Sequence, residues 1–164
     1  MKANKQSELN RVKESLYDKI DAVYRHSALL QGYSMEIHDY GNGYYMSEVE
    51  AHTLLYVCQN DDTTVTQLAK DTFRTKGTVS KMLKKLEDKG LVECRQKDGN
   101  KKWVYFVPTE EGLRVNEIHR AYDKKETLHM IEALLEDCTL EEIENFYKVT
   151  EYRIKFLEKK QNEK

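Results

Sequence analysis

Apolar residues recur every three or four positions along most of the chain, the spacing of one helix face, and the places where this rhythm fails divide it into elements. Leu9, Val12, Leu16, Ile20, Val23, Ser27 and Leu30 keep the spacing and predict one long amphipathic packing helix from about Ser7 to Gln31. From Gly32 to Met46 the period is lost. Gly32, Gly41 and Gly43 are interspersed with Tyr33, Tyr40, Tyr44 and Tyr45, which reads as a loop or broken helix. Ser47 with Glu50 three residues later is a capping box, opening a helix through about Gln59 with Val49, Leu54, Leu55 and Val57 apolar. Asn60, Asp61 and Asp62 end it. Thr66 then caps a short helix from Gln67 to Thr72 that buries Leu68 and Ala69, and Phe73-Arg74 makes a tight connection onward.

The rest of the chain is organised around Thr75 to Val92. Val79, Met82, Leu83 and Leu86 form one apolar stripe, with Thr75 as N-cap and Gly90 as the glycine just past the helix end. The opposite face carries Thr75, Lys76, Thr78, Ser80, Lys81, Lys84 and Lys85, hydroxyls and ammonium groups that suit phosphates and base edges. Gly77 weakens the first turn, and a useful return would be close approach of its backbone to another surface. For this segment alone, a basic solvated face is the plainer alternative. Its context favours more. Two short helices joined by a tight turn, the second basic on its outer face, make a helix-turn-helix. Leu91 to Lys97 and Trp103 to Val107 are strand-like around an Asp98-Gly99 turn signal, so a basic hairpin follows as a wing. Thr109 caps a long helix from Glu110 to about Asp137. Thr139 caps another, with Leu140, Ile143, Tyr147, Thr150, Ile154 and Leu157 in a heptad-like row that wants a partner.

Composition changes this picture in one respect. The 164 residues carry a net charge of -2, yet between Thr64 and Thr109 eleven Lys or Arg face five Asp or Glu. That stretch is +6 and the remainder -8, a division that fits one face meeting a polyanion. The apolar runs are too short for a membrane span, the first eight residues lack the apolar block of a signal peptide, and a cytoplasmic location is expected. Cys58, Cys94 and Cys138 are odd in number and lack C-x-x-C spacing, which predicts free thiols, with Cys58 buried.

In V-T-Q-L-A-K, T-K-G-T-V-S-K-M-L-K-K-L-E-D-K-G-L-V and P-T-E-E-G, in that order and spacing, the chain resembles the MarR family of winged helix-turn-helix transcription regulators. The resemblance implies a mainly α fold with a small β-wing. Residues 47–109 would form the winged helix-turn-helix lobe, and residues 1–46 with 110–164 a helical dimerisation region. It implies a homodimer on a pseudo-palindromic operator, a repressor in type, contacting double-stranded DNA through Thr75, Lys76, Gly77, Thr78, Ser80, Lys81 and Lys84 and through the wing residues Asn100, Lys101 and Lys102. The family's wing-tip arginine is absent here, which shifts the wing toward phosphate contact. A helical protein-interaction module that does not bind DNA is the rival class, and the basic middle argues against it.

What such a regulator would sense divides three ways. His119 and Asp123 stand at i, i+4, a spacing that can chelate a metal, and His52 lies near the start of the preceding apolar helix. Relative to zinc-sensing members of the family, His52 and His119 match ligand positions, Asp123 stands where a histidine is expected, and Ala51 replaces a glutamate. Glu36 or His38 would complete such a site, with zinc as the favoured ion; ordinary polar helix residues are the alternative. Redox sensing is disfavoured because no cysteine lies in the N-terminal helix. A small aromatic or lipophilic effector near Tyr17, Tyr24, Tyr33 or Tyr56 is the third option. Catalysis is not expected, since the chain has no Gly-rich phosphate loop, no nucleophile elbow and no H-E-x-x-H.

Overall fold

The computed structural model describes residues 2–40, 43–97 and 100–163, with side chains for all of these except 2–7, 97, 100–103 and 162. The chain forms two compact units, Met1–His119 and Arg120–Lys164.

In the first unit the single N-terminal helix expected from the apolar row is two helices, α1 (Lys2–Tyr17) and α2 (Ile20–Met35). Neither proline nor glycine breaks it. Lys19 N instead donates to Leu16 O and Ala22 N to Lys19 O, both at 3.2 Å, so the ladder tightens to i→i−3 bonds for one turn. Most of the apolar row along these helices stays exposed, Leu9, Val12, Leu16 and Leu30 included. The tyrosine-rich stretch is not a loop throughout. Strand β1 (Ile37–Asp39) pairs antiparallel with β2 (Tyr45–Ser47), Ile37 opposite Ser47 and Asp39 opposite Tyr45, with Gly43 at φ 82° in the connection. Three-residue strands are too short to show a period of two.

Ser47 then caps α3 (Glu48–Gln59) as a full capping box, Glu50 N to Ser47 Oγ at 3.3 Å and Ser47 N to Glu50 Oε2 at 3.4 Å. Val49, Leu54 and Val57 are buried, whereas Leu55 is only part-buried. The next helix begins two residues earlier than expected. Thr64, not Thr66, caps α4 (Val65–Asp71) by accepting from Gln67 N at 3.1 Å, which still turns Leu68 and Ala69 inward. Thr75 caps α5 (Lys76–Asp88), and the whole predicted stripe of Val79, Met82, Leu83 and Leu86 is buried. Burying four such side chains is worth about 1.5–3 kcal/mol each and fixes the helix's rotation on the lobe. α5 stops as a Schellman turn, Gly90 N to Glu87 O at 2.8 Å and Leu91 N to Leu86 O at 2.9 Å, with Gly90 at φ 70°.

The chain leaves this turn extended, as Leu91 and Val92 predict. Strand β3 (Val92–Lys97) pairs antiparallel with β4 (Asn100–Pro108), from Val92 opposite Pro108 to Lys97 opposite Asn100. The Asp98-Gly99 turn signal lies outside the described residues. Thr63 adds an isolated bridge to Phe106, whose N–H donates to Thr63 O at 2.8 Å, so the loop before α4 docks on the wing. Helix α6 (Glu110–Leu134) starts at Thr109, whose Oγ1 accepts from Gly112 N at 2.9 Å and donates to Gly90 O at 2.7 Å. A Cβ at Gly112 would stand 1.9 Å from Leu91 O, so this crossing admits only glycine.

The second unit contains the remainder of α6, which ends at Leu134 rather than Asp137, and α7 (Leu140–Asn162). After Leu134 the chain turns, Cys138 N donating back to Leu134 O at 2.8 Å. Thr139 and Glu142 form a second capping box. Ile143 is buried, but Leu140, Tyr147, Ile154 and Leu157 of the same row are exposed.

Candidate nucleic-acid interface

One end of α5 is built to be presented. Thr75 Oγ1 accepts from Thr78 N at 3.1 Å and lies 2.9 Å from Thr78 Oγ1, so both hydroxyls are placed by the cap itself. Thr75, Lys76, Gly77, Thr78, Ser80, Lys81 and Lys84 are all exposed, on the face opposite the buried stripe. Chain neighbours and the helix's own backbone apart, a Cβ at Gly77 would have only Thr75 Oγ1 within 4 Å, at 3.9 Å. Nothing inside the lobe therefore requires glycine there, and the space it keeps clear opens outward.

The lysines of α5 divide into two sets. Lys84 is held by Glu87 at 3.1 Å and Asp88 at 3.0 Å. Lys85 and Lys89 each reach Glu50 of α3 at 3.0 Å, and Lys89 also donates to Tyr45 O at 3.1 Å. Lys76 and Lys81, toward the N-terminus, have no ion pair among the described residues. The positive charge free to meet a polyanion thus concentrates where the helix N-terminus adds its own partial charge. Glu50 is what the sequence reading missed. Its spacing from Ser47 predicts only the capping box, yet the same buried carboxylate also pairs with Lys85 and Lys89 at the C-terminal end of α5. Burial pushes the Glu50 carboxyl up, but hydrogen bonds and charge from Lys85 and Lys89 outweigh it and hold the group below its ordinary value.

The wing residues Asn100, Lys101 and Lys102 are the first three residues of the β4 backbone; their side chains lie outside those described. On β3, Arg95 pairs with Glu93 of the same strand.

The two histidines assigned to a metal, His52 and His119, are brought together. His119 is fully buried on α6, and its ring centroid lies 5.1 Å from that of His52 on α3 and 5.1 Å from that of Tyr40. The His38 ring lies tilted against that of Tyr33, centroids 4.7 Å apart, with His38 Nε2 3.3 Å from Tyr33 O. Asp123 follows His119 by one turn of α6 and is part-buried. Of Tyr17, Tyr24, Tyr33 and Tyr56, the tyrosines that could line an effector site, Tyr33 is exposed. Tyr17 and Tyr24 are exposed, while Tyr56 donates to Asp71 and is pushed up to about 12 by burial and that carboxylate. A cleft of about 430 Å³ does open beside the first turn of α5, between Met35, Val49, Glu50, Arg74 and Lys81. None of the four tyrosines lines it. Cys58, Cys94 and Cys138 are free thiols. Cys58 is half-buried rather than buried, and burial with the Glu117 charge pushes it up to about 11, away from the reactive thiolate.

A helix-turn-helix of α4 and α5 followed by a β3–β4 hairpin defines a winged helix-turn-helix lobe. Residues 46–104 match the model of the MarR family. Over 87 residues the chain is 33% identical to YhjH of Bacillus subtilis (strain 168), an uncharacterised HTH-type transcriptional regulator; the match covers 53% of this chain and 50% of that one. The chain thus spans about half the length of the curated relative it matches. Among solved structures, FabT of Streptococcus pneumoniae in complex with DNA is similar with a TM-score of 0.62 at 22% identity, covering 89% of this chain and 97% of that one. ZitR, a zinc-responsive MarR family member of Lactococcus lactis, has a TM-score of 0.60 at 22% identity over 85% of this chain and 99% of its own. Both support the mainly α winged-helix fold.

Proposed function

We propose that the protein is a sequence-specific DNA-binding transcription regulator, a repressor in type, that acts in the cytoplasm as a homodimer and has no catalytic role. One observation carries this reading: the exposed N-terminal half of α5, with Thr78 positioned by the Thr75 cap and Lys81 in no ion pair among the described residues, stands on a helix whose other face is buried in a winged lobe. In that arrangement α5 enters the major groove, Thr75, Lys76, Gly77, Thr78, Ser80 and Lys81 meet bases and phosphates, and Asn100, Lys101 and Lys102 of the wing meet phosphate. Lys84, already paired, contributes less. The exposed apolar rows of α1, α2 and α7 support a dimerisation region formed by residues 1–46 and 110–164. A two-fold pair would set two α5 helices about 34–36 Å apart, one turn of DNA. Among the described residues no helix is long and apolar enough to cross a membrane.

Binding to duplex DNA across a salt series tests the reading, with footprinting on the protein's own upstream region to locate the site. The logarithm of affinity should fall with the logarithm of salt by about 0.9 per neutralised phosphate. Salt-independent binding, or none, would leave the interaction-module reading instead.

For modulation, the meeting of His52 and His119 favours a divalent metal over the tyrosine-lined effector. Two imidazoles suit zinc, Asp123 on the next turn supplies a carboxylate by its spacing, and the similar ZitR is described as zinc-responsive. A metal that binds one arrangement of the helices better shifts the population toward it. Zinc titrated into metal-free protein should change operator affinity, and the change should be lost in His52→Ala and His119→Ala. An unaltered affinity in wild type returns these histidines to ordinary packing roles.

A further inference from the structure

Phe73 holds a backbone conformation that suits glycine. α4 ends as a Schellman turn, with Arg74 N donating to Ala69 O at 3.0 Å and Phe73 N to Lys70 O at 3.3 Å. Phe73 takes the left-handed position at φ 53°. The same turn after α5 is made with Gly90. Asp62 also has positive φ, but aspartate tolerates this region because its short polar side chain can bond locally, whereas a bulky aromatic is disfavoured there. The ring does not recover this cost by burial, being 56% exposed. Phe73 also stands two residues ahead of the Thr75 cap, in the turn that leads into the half of α5 that carries Thr78 and Lys81.

We propose that Phe73 is a further DNA-contacting residue, its exposed ring packing against the apolar edge of the nucleotides read by the first turn of α5. The proposal rests on the DNA-binding reading. Lysines there supply charge and threonine and serine hydroxyls supply hydrogen bonds, while an apolar contact is what distinguishes a thymine methyl or packs a deoxyribose. The two Schellman bonds fix the backbone under the ring, so its position is set before DNA arrives. A glycine or asparagine in this turn would satisfy the fold and leave no ring to make the contact.

The test uses the duplex that wild-type protein selects from a random-sequence library. Phe73→Gly and Phe73→Asn, which accept the left-handed backbone, should raise the thermal midpoint of the protein and yet weaken binding to that duplex by roughly tenfold. Lys81→Ala serves as the control for α5. Replacing thymines by uracil one at a time identifies the partner. A position whose loss is felt by wild type but not by Phe73→Gly marks the methyl group; equal weakening of Phe73→Gly on every duplex marks the sugar. Wild-type affinity in Phe73→Gly alongside a weakened Lys81→Ala overturns the proposal, as does a lowered thermal midpoint, which would make Phe73 a packing residue. A wild-type protein that selects no duplex ends the DNA-binding reading and this proposal with it.

Discussion

Helices α5 and α7 carry the same kind of apolar row and meet opposite fates. On α5, Val79, Leu83 and Leu86 are fully buried, whereas on α7 Tyr147, Ile154 and Leu157 are each about half exposed, at 44%, 49% and 54%. Periodicity states only that a face wants cover. The three elements α3, α4 and β3 supply it for α5 from the same chain. Among the described residues, most of the α7 row and of the rows on α1 and α2 is exposed. A second copy is the cover a heptad-like seam is suited to. The contrast predicts two kinds of stability, one intramolecular in the lobe and one dependent on concentration in the terminal helices.

The strongest test of that contrast is a charge placed on the exposed row. Ile154→Glu should convert the dimer to monomer by sedimentation at micromolar concentration while leaving the helical signal of the lobe intact. A wild-type monomer under those conditions would remove the contrast altogether. Next, Leu83→Ala in the lobe should cost about 2–5 kcal/mol in denaturant unfolding, because it empties a fully buried site. That loss should be independent of protein concentration; a concentration-dependent loss would mean the lobe too is stabilised across the dimer.

A smaller effect is expected from Glu50→Gln. The Glu50 carboxyl is lowered in the folded protein, so its pairing with Lys85 and Lys89 stabilises the fold above the unfolded value near 4.5 and is lost as pH falls through the folded value. The thermal midpoint of wild type should therefore exceed that of Glu50→Gln at neutral pH and converge with it on acidification. Parallel curves would show that the carboxylate does not hold α5. The smallest effect sharpens the division among the lysines. Lys84→Ala should leave operator affinity nearly unchanged, whereas Lys81→Ala should weaken it roughly tenfold, within the range of about 1–3 kcal/mol for a base contact. Equal effects on a measured binding isotherm would refute the assignment of Lys84 to its own helix.

Local chemistry was legible from residues alone wherever one element contains its own signal. The Ser47–Glu50 box, the Thr75 and Thr139 caps, the Gly90 stop and the buried stripe of α5 all follow from spacing and short-range hydrogen bonding, which the sequence by itself determines. Packing decided the rest. Thr64 prevailed over Thr66 because either threonine can cap and only the docking of Thr63 on Phe106 selects the start. The N-terminal helix broke without a breaker residue, and the β1–β2 hairpin formed from strands too short to announce themselves. At the candidate site the exposed face of α5 was readable, but the availability of its charges was not. Counting lysines along α5 could not show that α3 brings Glu50 beneath two of them, nor that His52 meets His119 across 66 intervening positions of sequence. Such meetings depend on contacts between distant elements, and only the tertiary structure decides which side chains those contacts bring together.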